Sequence, residues 1–218
     1  MLQEINHLIR KEITLEWREK FAFNGVLLYL VSTVFVCYLS FASIIDIPTW
    51  NALFWIIMLF AAINAVLKSF LQERDGRLLY YYTLVRPQSI INAKIVYNAL
   101  LMAALGLAGL LVFMGFMGNP VQNLLLFLLN MLLGVAGFSA VLSMVSAIAS
   151  KARNNFTLMA VLSFPLVLPL LLVLIGVSSD AIRGGSISET LPNLLVIILL
   201  IAITLVLSNI LFPYIWKE

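Results

Sequence analysis

The sequence predicts an all-α integral membrane protein: six transmembrane helices preceded by one amphipathic helix. Three observations predict it. Apolar residues make up 63% of the 218 and charged residues only 11%, with a mean hydropathy of +1.08. A water-facing domain carries about 25% charged residues, so lipid must be the solvent for most of this surface. The apolar residues also gather into six stretches, each long enough, at about 20 residues, to cross ~30 Å of hydrocarbon as a helix. Finally, the cations segregate to alternate links between those stretches.

The elements follow in order. Leu2, Ile5, Ile9, Ile13 and Trp17 recur every three or four residues and define one face of a helix within residues 1–22, with charges on the rest. Two settings suit such a helix: the membrane interface, and the surface of a partner. Glu4, Glu12, Glu16 and Glu19 lie among its cations, which does not fit a cleavable signal peptide, so the first apolar run is expected to be retained. The spans of the transmembrane domain, 23–218, are expected at about 24–45, 50–71, 92–117, 121–149, 156–177 and 191–212. Asp46-Ile47-Pro48-Thr49 and Gly118-Asn119-Pro120 are turn sequences, and so short a link makes each joined pair an antiparallel hairpin.

Of the 13 Lys and Arg residues, only Arg183 falls in a link on the far side. Arg10, Lys11, Arg18, Lys20, Lys68, Arg74, Arg77, Arg86, Lys94, Lys151, Arg153 and Lys217 all share the other. The positive-inside rule then puts both termini and the basic links of this multi-pass chain in the cytoplasm.

Several chemistries are excluded. No GxxxxGK[ST] loop is present, so the chain does not hydrolyse ATP itself. The single Cys37 and single His7 provide neither a disulfide, nor a metal cluster, nor a triad, and no buried acid is expected to orient one. No basic patch interleaved with aromatics suits nucleic acid. The spans hold amides such as Asn64, Asn98, Asn130 and Asn209 rather than ionisable groups, which disfavours ion-coupled transport and favours interhelical hydrogen bonds.

Three segments stand out. The fourth span carries Ala136, Ser139, Ala140, Ser143, Ser146, Ala147 and Ser150 on one face. Small residues let helices approach closely, either within the chain or between subunits, and Ser139, Ser143 and Ser146 are the expected packing residues. Pro165 and Pro169 each remove a backbone donor from the fifth span, which is expected to kink there, as a hinge or as a fixed bend. The link Gln72–Pro87 starts with Glu73 and Asp75, suited to a helix N-terminus, runs through Leu78, Tyr80, Tyr81, Tyr82 and Leu84, and ends at Pro87. It reads as a short helix lying across the membrane face, either docking a partner or anchored by its tyrosines.

Together these residues resemble type-2 ABC transporter permeases: six spans, an N-terminal amphipathic helix and, after the second span, the segment Glu73, Asp75, Gly76, Leu78, Pro87, Lys94. More narrowly the chain looks like the CcmB family of heme-exporter permeases in cytochrome c maturation. The narrower likeness is carried by Lys11-Glu12, the run from Asp75-Gly76 to Ala93-Lys94, and Pro165-x-x-x-Pro169.

The resemblance implies a type-2 permease fold in a bacterial inner (cytoplasmic) membrane, with 72–90 as the coupling segment. It implies Glu73, Asp75, Gly76, Arg77, Leu78 and Pro87 as contacts of a cytoplasmic ATPase, with Lys151 and Arg153 as a lesser contact. The implied partners are a CcmA-like ATPase, membrane subunits like CcmC and CcmD, a CcmE-like heme chaperone, and a second copy or second membrane subunit. The chain is then a non-catalytic subunit. ATP belongs to the partner, and heme enters as substrate rather than as a bound cofactor. Two other readings stay open: a type-2 permease for a lipid, polysaccharide or drug, and a membrane scaffold that moves nothing.

Overall fold

A computed structural model of the chain describes residues 2–19, 21–41, 45–71, 86–149 and 155–217. Among them the chain forms seven helices: α1 Leu2–Glu19, α2 Phe21–Phe41, α3 Ile47–Leu71, α4 Pro87–Met117, α5 Leu124–Ala149, α6 Asn155–Ile182 and α7 Ile187–Lys217. No strand occurs among the described residues. Helices α2 to α7 each contain a stretch long and apolar enough to cross a membrane. The expected six-span, all-α architecture is what the chain adopts.

Helix starts are set by capping residues rather than by the apolar runs, and most fall earlier than those runs suggest. Asp46 precedes α3, and its depressed carboxyl pKa follows from hydrogen bonds to the Thr49 hydroxyl and backbone. Asn123 precedes α5, its Oδ1 accepting from Leu126 N at 3.1 Å. Ser186 and Glu189 form a reciprocal capping box at α7: Glu189 N donates to Ser186 Oγ, and Ser186 N to Glu189 Oε2, both at 3.4 Å. Pro87 does not end a helix among the described residues; it opens α4, where its missing N–H costs nothing. Helix α4 therefore starts well before the expected residue 92.

The loops before α3, α5 and α7 gather at one end. Trp50 Nε1 reaches Gly118 O at 3.2 Å, and Asn123 bonds Ala181 O and Gly185 O, each at 2.9 Å, so the links before α3, α5 and α7 meet at one end. Gly118 and Gly184 turn there with φ of 78° and 82°, where a side chain would strain. The N-terminal helix packs at the opposite end, against α4.

Helix α5 is the centre of the bundle and touches α3, α4, α6 and α7. Its two halves differ. Near the loop-rich end, Phe127 joins Trp50, Phe54 and Phe113 in an aromatic cluster with ring centroids 4.9–6.0 Å apart. Trp55 extends it, its Nε1 donating to Ser178 Oγ at 2.8 Å. Toward the other end, α5 presents the buried Ser139, Ser143 and Ser146. The space enclosed by Met58, Ala61, Ala62, Met102, Leu105, Val135 and Phe138 is only about 10 Å³, at the limit of one water. That part of the bundle, between α3, α4 and α5, is closely packed.

Three expectations are refined. Asn64 bonds Phe60 O four residues back in its own helix, so it joins no neighbour by that bond. Asn98, Asn130 and Asn209 do bond across helices. Pro165 and Pro169 sit on the exposed side of α6, which runs unbroken from Asn155 to Ile182.

Candidate functional site

The polar residues of α4 crowd into its first dozen positions, which is why the apolar run is visible only later. Arg86 is extended (φ −68°, ψ 137°), and its carbonyl accepts from Ser89 N and Ile90 N at 2.9 and 3.3 Å. The helix thus begins abruptly where the link from 72 to 85 ends. Residues 87–98 then cover roughly 18 Å of axis, and along it α4 is tied to three neighbours.

To α1 there are three ties. Ser89 Oγ donates to Glu4 Oε2 at 2.8 Å. Lys94 Nζ lies 3.5 Å from Glu12 Oε2. Tyr97 OH donates to Glu16 Oε2 at 3.4 Å, while Glu16 Oε1 accepts from Phe23 N at 2.7 Å and so fixes the corner between α1 and α2. To α7, Asn92 and Asn209 exchange amide hydrogen bonds of 2.8 and 3.0 Å. To α5, Ser139 Oγ donates to Ile95 O at 2.6 Å, and Asn98 Nδ2 donates to Ser143 Oγ at 2.9 Å.

The Glu12–Lys94 pair is the charged centre of this hub. Their side chains are 10% and 3% exposed, and Lys11 adds a second ammonium at 2.9 Å from Glu12 Oε1, itself 27% exposed. A buried pair holds because each ion would be costly alone. The hub therefore resists being pulled apart piecemeal: each hydrogen bond adds a net ~1 kcal/mol, and breaking one side of the ion pair costs about 3–5 kcal/mol. The near ends of α1, α4, α5 and α7 are thus cross-linked through one stretch of α4.

The expected residues fall as follows. Glu73, Asp75, Gly76, Arg77, Leu78, Lys151 and Arg153 lie outside the described residues. Pro87 opens α4. Ser139 and Ser143 face α4 through hydrogen bonds, and Ser146 is buried with them. Pro165 and Pro169 are remote from the hub, on the outer side of α6.

Glu12 corrects the expectation that no acid is buried: it is 8% exposed. The signal was present. Glu4, Leu8, Glu12 and Glu16 recur every four residues and form a stripe beside the isoleucine stripe. The acidic stripe turns inward to α4, while Ile13 and Trp17, 44% and 76% exposed, turn outward. Two short motifs, Lys11-Glu12 and Ala93-Lys94, are joined by this contact although they lie far apart in the chain.

A family model described as CcmB protein matches residues 3–215, nearly the whole chain. A comparison with curated proteins gives no match.

Proposed function

The chain belongs to the CcmB protein family, and from that membership we propose that it is the transmembrane permease subunit of an ABC transporter that handles heme during cytochrome c maturation. It is a multi-pass membrane protein, and the family is one of heme-exporter membrane components. In our reading the chain does no chemistry itself. A separate cytoplasmic ATPase, CcmA-like, binds and hydrolyses ATP. Its movement enters through the segment 72–90 and is used to release heme from a CcmE-like chaperone, in a complex with CcmC-like and CcmD-like subunits.

The observation that carries the reading is the hub. The proposed coupling segment leads directly into a part of α4 that is ionically and hydrogen-bonded to α1, and hydrogen-bonded to α5 and α7. Mechanical work delivered at Arg86 is thus spread over four helices rather than absorbed by one, which suits rigid-body rearrangement. A passage for heme would form against a second copy or a second membrane subunit.

Gly76→Trp tests the coupling assignment. It should abolish co-purification of the ATPase while membrane insertion stays intact. Unchanged co-purification removes the assignment. Mass spectrometry of the purified complex identifies the partners; a glycan- or lipid-export ATPase in place of cytochrome maturation proteins would overturn the substrate reading.

A further inference from the structure

On the lipid side of the hub lies a cavity of about 530 Å³, lined by Ile13, Glu16, Trp17, Phe23, Asn24, Tyr97, Leu100, Leu101 and Ala104. We propose that it holds one phospholipid of the N-terminal-face leaflet whose headgroup bears an ammonium, with that ammonium on Glu16 and one acyl chain along α4. The volume is within the roughly 300–1,000 Å³ of small-ligand sites. Its polarity is arranged as an amphiphile requires. The Glu16 carboxylate meets the Tyr97 hydroxyl on α4, Asn24 adds an amide to the lining, and Leu100, Leu101 and Ala104 continue roughly 10 Å further along α4 toward the bilayer centre.

Two further observations name the occupant. The groove is continuous with lipid-facing surface: Leu100, Leu107 and Leu111 are 53%, 45% and 75% exposed, and with Ala104 they follow one side of α4 at spacings of three and four. An acyl chain leaving the cavity thus has an apolar track toward the membrane interior. At the mouth, Glu16 accepts hydrogen bonds from Phe23 N and Tyr97 OH. Unlike Glu12 it has no cation within ion-pair distance among the described residues. An anion on an apolar groove repels a phosphate-only or carboxylate-bearing head and attracts an ammonium. Phosphatidylethanolamine fits this; phosphatidylglycerol and heme, whose propionates are anionic, do not. The inference rests on α1 lying at the membrane interface, not on the identity of the transported substrate.

The test is native mass spectrometry of the full chain extracted from membranes made with equal phosphatidylethanolamine and phosphatidylglycerol. One phosphatidylethanolamine per chain should be retained. Glu16→Gln should reduce its preference over phosphatidylglycerol about fivefold, the scale of one interfacial ion pair. Ala104→Trp, which fills the groove from an exposed position and so spares the fold, should abolish retention of either lipid. Leu111→Trp, on the same lipid-facing track but beyond the cavity, should leave it unchanged. Equal retention in wild type and Ala104→Trp, a preference for phosphatidylglycerol, or displacement of the lipid by heme would each overturn the proposal. Loss of ATPase co-purification in Gly76→Trp bears only on the coupling assignment, so the two can fail separately.

Discussion

Removing the carboxylate of Glu12 isolates the energetic core of the hub. Lys94 is 3% exposed and reaches Glu12 Oε2 at 3.5 Å. At an effective dielectric of about 20 their attraction is of order 5 kcal/mol, most of which offsets the cost of taking both ions out of water. The net value of the pair is therefore small, but the cost of breaking it is not. Glu12→Gln leaves the Lys94 ammonium buried beside a neutral amide and should destabilise the chain by about 3 kcal/mol. Lys94→Met should cost less, about 1–2 kcal/mol, because Glu12 keeps the more exposed Lys11 at 2.9 Å. The double variant Glu12→Gln/Lys94→Met should recover most of the loss, leaving about 1 kcal/mol and so giving a coupling energy of about 3–4 kcal/mol. In thermal unfolding of the detergent-purified chain, followed by fluorescence, Glu12→Gln should lower the midpoint by roughly 9 °C, and the double variant by no more than about 4 °C. Additive single and double variants, or a Glu12→Gln shift under about 3 °C, would refute the claim that this pair is a coupled, buried unit.

Three more outcomes follow from the same geometry. Gly134→Ala places a Cβ 2.7 Å from the Trp55 ring, which its hydrogen bond to Ser178 holds in place, and should cost about 1–3 kcal/mol in unfolding assays. Gly109→Ala meets at 2.7 Å only the movable end of Leu30, and a smaller midpoint shift is expected; the reverse order would contradict the packing. Asp46 has a folded pKa below its ordinary value, so its stabilisation of the first turn of α3 is complete above the usual carboxylate range and is lost as pH falls through the depressed pKa. Hydrogen-exchange protection at Thr49 and Trp50, relative to the intrinsic rate at each pH, should accordingly fall at acidic pH and in Asp46→Ala, but not in Asp46→Asn, which still caps. Single cysteines at Ser179 and Arg153 should label from opposite sides of the membrane, whereas labelling from one side would break the six-span topology.

How much of this was written in the chain is clearest in α4. Its apolar run from residue 92 onward is visible as a span because hydrophobicity is a local property summed along a helix. The stretch before it, Pro87 to Ile91, falls outside that span, and only the fold shows it as helix: Glu4, Glu12 and Glu16 arrive from α1 to meet Ser89, Lys94 and Tyr97. The same holds for the serine face of α5, whose spacing implied close packing but not that Asn98 and the Ile95 carbonyl on α4 receive Ser143 and Ser139.

The sequence by itself determined the solvent, the number of crossings and the segregation of cations to one set of links, since each depends on residue type and order alone. The inward turn of the acidic stripe of α1, the joining of Glu12 to Lys94 and the groove left beside Glu16 were decided only by tertiary structure. The reason is that two neighbouring stripes on one helix are both candidates for burial. Which of them faces protein depends on whether a neighbour, distant in the chain, offers charge to match it.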